Sequence, residues 1–121
     1  MPIFARTPGP GRITVADAYE RARTGGAVLL DVREADEYAA GHAPGALWQS
    51  LAAVGAGAPL PDAAEGRTVP AVCRSGNRSR RAAGILAARG VEALNVTGGM
   101  HAWAAAGLPV HDGTGSDGQV I

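Results

Sequence analysis

TVPAVCRSGNRSRRAAGILAARG, residues 68–90, passes from an apolar run through a polar, glycine-containing loop into a helical pattern. The run is Val69 to Val72. Cys73, the chain's single cysteine, follows it directly. Ile85, Leu86 and the alanines around them form one face at a period near 3.6, while Arg78, Arg80, Arg81 and Arg89 fall largely elsewhere. Gly90 supplies the stop. The stretch predicts strand, tight loop, helix. That places Cys73 at the C-terminal end of a strand, facing a helix N-terminus where unpaired N–H groups collect and negative charge is favoured. Such a place stabilises a thiolate.

The rest of the chain sets bounds on this reading. Its 121 residues suit one domain with a core of its own. With 46% apolar and 18% charged residues, the composition is globular rather than disordered. All basic residues are arginines, the formal net charge is zero, and no basic tract extends beyond 78–81, so a nucleic-acid partner is not expected. A single cysteine excludes an intrachain disulfide and a four-cysteine zinc site. Residues 1–12 lack an apolar signal core, and no apolar stretch approaches the roughly 18 residues of a membrane span. A cytoplasmic protein with no membrane partner is the expectation.

Before the central stretch, residues 1–11 read as an irregular N-terminal extension in which Ile3 and Phe4 dock on the body. Thr14 and Asp17 form a capping box for a helix over 15–23, stopped by Gly25-Gly26. Residues 27–32, AVLLDV, read as a central parallel strand buried on both faces. Residues 34–40 predict a short helix ended by Gly41, and 46–48 a short strand. Residues 49–67 hold a weak helix or a surface loop. Pro70 cannot donate to a ladder and is expected at its strand's start, leaving 71–73 as the paired part. Residues 92–96 predict another strand, and 100–106 a helix with Trp103 inward. The body is thus expected over 12–110, with 111–121 a flexible tail. Alternating strands and helices argue for an α/β domain around a mostly parallel sheet. Reactive groups in such folds lie at the C-terminal ends of strands, where Asp31, Arg33 and Cys73 would gather with Gly98 nearby.

Cys73 is the candidate nucleophile. A loop of N–H groups curled over its sulfur is an anion nest, which would lower the thiol pKa and hold the charge of a persulfide without a histidine base. Gly76 permits the tight reversal. Arg74 and Arg78 are candidates to attract and orient a dianionic substrate. Ser75 and Ser79 cap the helix or bond within the loop, and neither has a base that would make it a nucleophile. Asp31 is read as a support that accepts hydrogen bonds from the loop or an arginine. Arg33 either pairs with a carboxylate such as Glu37 or faces substrate. His42 is read as a structural hydrogen-bonding residue, and Trp48 and Trp103 as core. Three scattered histidines make no zinc site, so neither metal nor cofactor is expected.

At these residues the chain resembles a single-domain rhodanese-type sulfurtransferase. The resemblance is carried by DVREADEYAAGHAPGAL at 31–47, CRSGNRS at 73–79 and NVTGGMHAWAAAGLPV at 95–110. It implies a rhodanese-like fold: about five mostly parallel strands with helices on both faces. It implies a thiosulfate or persulfide sulfurtransferase in which Cys73 accepts a sulfane sulfur as a persulfide and passes it to cyanide or a thiol. The backbone N–H groups of 74–78, including that of Asn77, would cradle the persulfide, with Arg74, Ser75, Gly76 and Arg78 at the substrate. A partner protein's persulfide is an alternative donor. A persulfide carrier or a non-catalytic protein-binding module are the rival readings. Protein-tyrosine phosphatases and some arsenate reductases place an arginine after five intervening residues. Here that position is Ser79, and Arg78 comes one residue early. The narrower ring suits a sulfur atom better than a tetrahedral phosphate.

Overall fold

A computed structural model describes residues 10–121. The proposed docking of Ile3 and Phe4 lies outside the described residues. In chain order the elements are β1 (Gly11–Ile13), α1 (Val15–Arg23), β2 (Leu30–Asp31), α2 (Ala35–Ala40), β3 (Leu47–Trp48), α3 (Leu51–Gly55), a 3-10 turn (Asp62–Ala64), β4 (Val69–Val72), α4 (Asn77–Ala88), β5 (Ala93–Val96) and α5 (Gly99–Ala105). The five strands form one sheet in the order β1-β5-β4-β2-β3, and all four pairings are parallel.

The β4 strand is central and buried along its whole length, and its alternating side chains feed two cores. Val69 and Ala71 point to one face, where Leu86, Ala82 and Ala83 of α4 and Val54 of α3 cover them. Val72 points to the other, where Ala18 of α1 and Met100 and Trp103 of α5 pack. Burying Leu86 completely contributes roughly 1.5–3 kcal/mol. The α1 helix starts as expected at Thr14, whose hydroxyl oxygen accepts from the Asp17 N–H at 3.1 Å; the reciprocal bond, from the Thr14 N–H to the Asp17 carboxylate, is not made. The α2 helix is tied instead by Glu37, which accepts from the Glu34 N–H at 2.9 Å.

Four expectations give way. β1 pairs with the edge of β5, so the sheet reaches into residues read as irregular. Pro70 lies inside β4 rather than at its start, opposite Leu94 of β5. The Val69 N–H donates to Glu92 on the β5 side, so the proline nitrogen faces the β2 side, between the Val28 N–H bond to Thr68 O and the pairing of Leu30 with Ala71. The missing donor leaves a single gap in that run of bonds, and Cys73 lies just past the strand. Trp48 is not core: it ends an edge strand, its indole N–H donates to Arg33 O at 2.8 Å, and the residue is 41% exposed.

Finally, residues 111–121 return along α2 rather than trailing away. His42 and His111 exchange backbone hydrogen bonds of 2.8 and 2.9 Å, and the Gln119 N–H donates to Ala40 O at 2.9 Å. A Cβ on Gly41 would lie 2.6 Å from the Gln119 nitrogen, which explains a glycine there with ordinary extended backbone. The segment ends with Ile121 O accepting from Arg74 Nε at 3.0 Å.

Candidate active site

The loop between β4 and α4 winds its N–H groups inward around Cys73. Gly76 turns it, with φ at +112° and no side-chain cap for the helix behind it. The sulfur takes the place of that cap. The Gly76 N–H donates to Sγ at 3.1 Å, the Ser79 hydroxyl lies 3.2 Å from Sγ, and the N–H groups of Ser75 and Ser79 add to the field around it. Burial of the 1%-exposed Cys73 pushes its thiol pKa up, but these hydrogen bonds outweigh burial and the pKa is lowered. The groups within hydrogen-bond distance of the unmodified sulfur are the Gly76 N–H and the Ser79 hydroxyl. Ser79, expected only as a support, touches the sulfur.

The loop is held open from behind by α5. Two N–H groups of its first turn, from Met100 and His101, donate to the carbonyls of Cys73 and Arg74 at 2.8 and 3.0 Å. With those carbonyls turned outward, the N–H groups of the following turn face the sulfur. The approach is so close that a Cβ on Gly99, which has φ of +58°, would stand 2.6 Å from Arg74 O.

The two loop arginines are both engaged. Arg78 is bidentate on Glu37, at 2.7 and 2.9 Å, in a pair whose side chains are 33% and 14% exposed. The Arg78 hydrogen bonds pull the Glu37 carboxyl down to about 2. Glu37 thus ties the start of α2 to the start of α4. Arg74 holds the C-terminal segment through Nε. Asn77 begins α4 and is exposed.

Asp31 and Arg33 form a pair that is wholly buried. Arg33 donates to the Asp31 carboxylate from its backbone N–H, Nε and Nη2, and from Nη2 also to Gly41 O at 2.6 Å. Arg33 therefore pairs with Asp31 rather than Glu37 and does not face substrate; its role is to brace the β2–α2 corner. His42 donates from Nδ1–H to Tyr38 O at 2.7 Å and stacks on the Tyr38 ring, a structural role as expected. Sequence reasoning missed Glu37 as the partner of Arg78, and missed Asn95, whose Oδ1 lies 2.7 Å from Ser79 Oγ. A lone polar residue within the apolar run of β5 was the signal for Asn95. Among the described residues no group of three metal-ligating side chains occurs, and no helix is long and apolar enough to cross a membrane.

A five-stranded parallel sheet carrying a cysteine at the end of its central strand, inside such a loop, has a match among known families: the model of the rhodanese-like domain covers residues 14–106. The chain belongs to that family. Solved structures agree with the fold of this rhodanese-like domain. A rhodanese-related protein of Thermoplasma volcanium superposes with a TM-score of 0.71 at 27% identity, over 83% of this chain and 96% of that one. A thiosulfate sulfurtransferase of Pseudomonas aeruginosa gives 0.75 at 26% identity, over 92% of this chain but only 21% of its own length. A Rhodopseudomonas palustris protein of unknown function, described as a possible tyrosine phosphatase, gives 0.73 at 26% identity, over 84% of this chain and 85% of that one.

Proposed function

We propose that this rhodanese-like domain is a sulfurtransferase that carries a sulfane sulfur on Cys73, from thiosulfate or a low-molecular-weight or protein persulfide to cyanide or a thiol. The observation that supports this most directly is the sulfur's setting: buried at the end of the central strand, with an N–H at 3.1 Å and a hydroxyl at 3.2 Å. Such donors stabilise anionic sulfur without reorganising during the reaction. The Cys73 thiolate attacks the outer sulfur of thiosulfate. A Sγ–S bond forms, the S–S bond of the donor breaks, and sulfite leaves with the electron pair. Cyanide then attacks the outer sulfur of the persulfide, thiocyanate departs, and the thiolate is restored. No proton or outside oxidant is consumed. Because Cys73 is the only cysteine, the acceptor must come from outside the described chain.

Arg74, whose terminal nitrogens are not used by the C-terminal segment, is the cation best suited to an anionic donor. Arg78 spends both arms of its guanidinium on Glu37. It therefore offers no free fork to a tetrahedral oxyanion, which argues for sulfur over phosphoryl chemistry. The test is steady-state turnover of thiosulfate and cyanide to thiocyanate by the wild type and Cys73→Ser. Ping-pong kinetics, lost in the variant, are expected. One equivalent of sulfur loaded without turnover would favour a carrier. Hydrolysis of an aryl phosphate without sulfur transfer would overturn the reading.

A further inference from the structure

We propose that Asn95 is a positioning residue for Cys73, acting through the Ser79 hydroxyl, and that its side-chain amide turns over as the sulfur loses or gains its proton. Three buried groups form a line. Cys73 Sγ lies 3.2 Å from Ser79 Oγ, and Ser79 Oγ lies 2.7 Å from Asn95 Oδ1. Ser79 is fully buried and Asn95 is 7% exposed. The Asn95 backbone is fixed in the sheet between Arg12 of β1 and Ala71 of β4, so only its side chain can respond.

The serine hydroxyl has a single proton, which decides the argument. With a neutral thiol, the S–H donates to Ser79 Oγ and the Ser79 O–H donates to Asn95 Oδ1, so both contacts along the line are donor to acceptor. When the sulfur proton leaves for solvent, Ser79 must turn its own proton to the thiolate. Asn95 Oδ1 then faces the lone pairs of Ser79 Oγ at 2.7 Å with nothing between them. A half-turn of the amide puts Nδ2–H in the same place, and the line is paired again with its direction reversed. Among the described residues no other hydrogen bond holds the Asn95 amide, so neither orientation is locked. An amide can do this because it carries a donor and an acceptor of nearly equal size. An aspartate in its place accepts only, and would hold the Ser79 proton away from the sulfur.

The charged groups around the site do not enter this line. Arg78 of α4 is paired with Glu37 of α2, which also accepts from the Glu34 N–H. Arg74 of the loop holds Ile121 O. Asp31 and Arg33 of the β2 corner close on each other, and His101 of α5 meets the loop through its backbone N–H. None hydrogen-bonds to Ser79 or Asn95.

The inference rests on the proposed role of Cys73 only for its use in catalysis, and the test reads proton state rather than sulfur transfer. Only Gln49, Asn77, Asn95 and Gln119 carry side-chain amides, so the Asn95 NH2 signal can be followed by 15N NMR and assigned through its own backbone. Across a pH series it is expected to shift with the same midpoint as Cys73 alkylation by iodoacetamide, and to lose that shift in Ser79→Ala. Asn95→Asp is expected to slow alkylation at neutral pH by about tenfold or more, moving the midpoint upward. An Asn95 amide signal indifferent to the Cys73 titration in the wild type would overturn the proposal, and so would a shift that persists in Ser79→Ala. The wild-type spectrum decides even where a variant folds poorly. Absence of thiocyanate turnover would sink the sulfurtransferase reading and leave these outcomes intact.

Discussion

Replacing Gly99 by alanine should damage the loop from behind without touching its residues. The new Cβ would stand 2.6 Å from Arg74 O and in similar conflict with Cys73 O, whereas ordinary contact begins near 3.4 Å. Clearing both carbonyls would require the loop to retreat by about 1 Å. Those same carbonyls receive the Met100 and His101 N–H groups at 2.8 and 3.0 Å, so the retreat stretches both bonds out of range. Two hydrogen bonds at about 1 kcal/mol each, and about 1 kcal/mol for a left-handed alanine, total about 3 kcal/mol. In a chain of this size that lowers Tm by roughly 10–15 °C. The displaced Gly76 N–H also leaves the sulfur, and a misplacement near 1 Å costs about 100-fold in turnover. Gly107→Ala is the control, because its φ is +75° but nothing lies within 4 Å of the added Cβ. It should lose about 1 kcal/mol and no activity. Thermal melts and thiocyanate assays on both variants check this. A Gly99→Ala protein as stable and as active as Gly107→Ala would refute the claim that α5 sets the loop.

Three further outcomes follow from the same geometry. Arg33→Met strands the wholly buried Asp31 carboxylate and should cost about 3–5 kcal/mol in urea unfolding, despite Arg33 never meeting substrate. Glu37, held at about 2 against an ordinary 4.5, contributes stability that is full above about pH 4.5 and is lost as pH falls toward 2. With Arg78 a third exposed, that contribution is about 1–2 kcal/mol, so the gap between wild type and Glu37→Gln in urea melts should be constant near neutrality and close between those pH values. Thr14→Ala removes the α1 cap and should cost about 1 kcal/mol by the same method, leaving Cys73 alkylation unchanged.

The parts legible in the sequence were those fixed by local pattern. The apolar run at 69–72, the loop and the helix with Leu86 inward carry their own signals, and they place Cys73 correctly. What was not legible depended on partners distant in sequence. β1 is three residues long and exists as a strand through pairing with β5. Pro70 is tolerated in a central strand because its one missing donor on the β2 side is flanked by the Val28 N–H bond to Thr68 O and the Val32 N–H bond to Val72 O. Arg78 read as a substrate ligand because its partner, Glu37, lies 41 residues away. The glycine-rich segment after His111 looked free because the bonds that dock it on the body reach the backbone of 39–42 and the Arg74 side chain, both distant in sequence. Asn95 was passed over because a polar residue in a short strand gains meaning only beside Ser79.

The central claim is that Cys73 holds a sulfane sulfur within its loop. The most direct measurement is the intact mass of the protein after incubation with thiosulfate or a polysulfide, before and after cyanide. One added sulfur atom, absent in Cys73→Ser and released by cyanide as one equivalent of thiocyanate, is the predicted result. No added sulfur from either donor, with Cys73 intact and open to alkylation, would contradict the account.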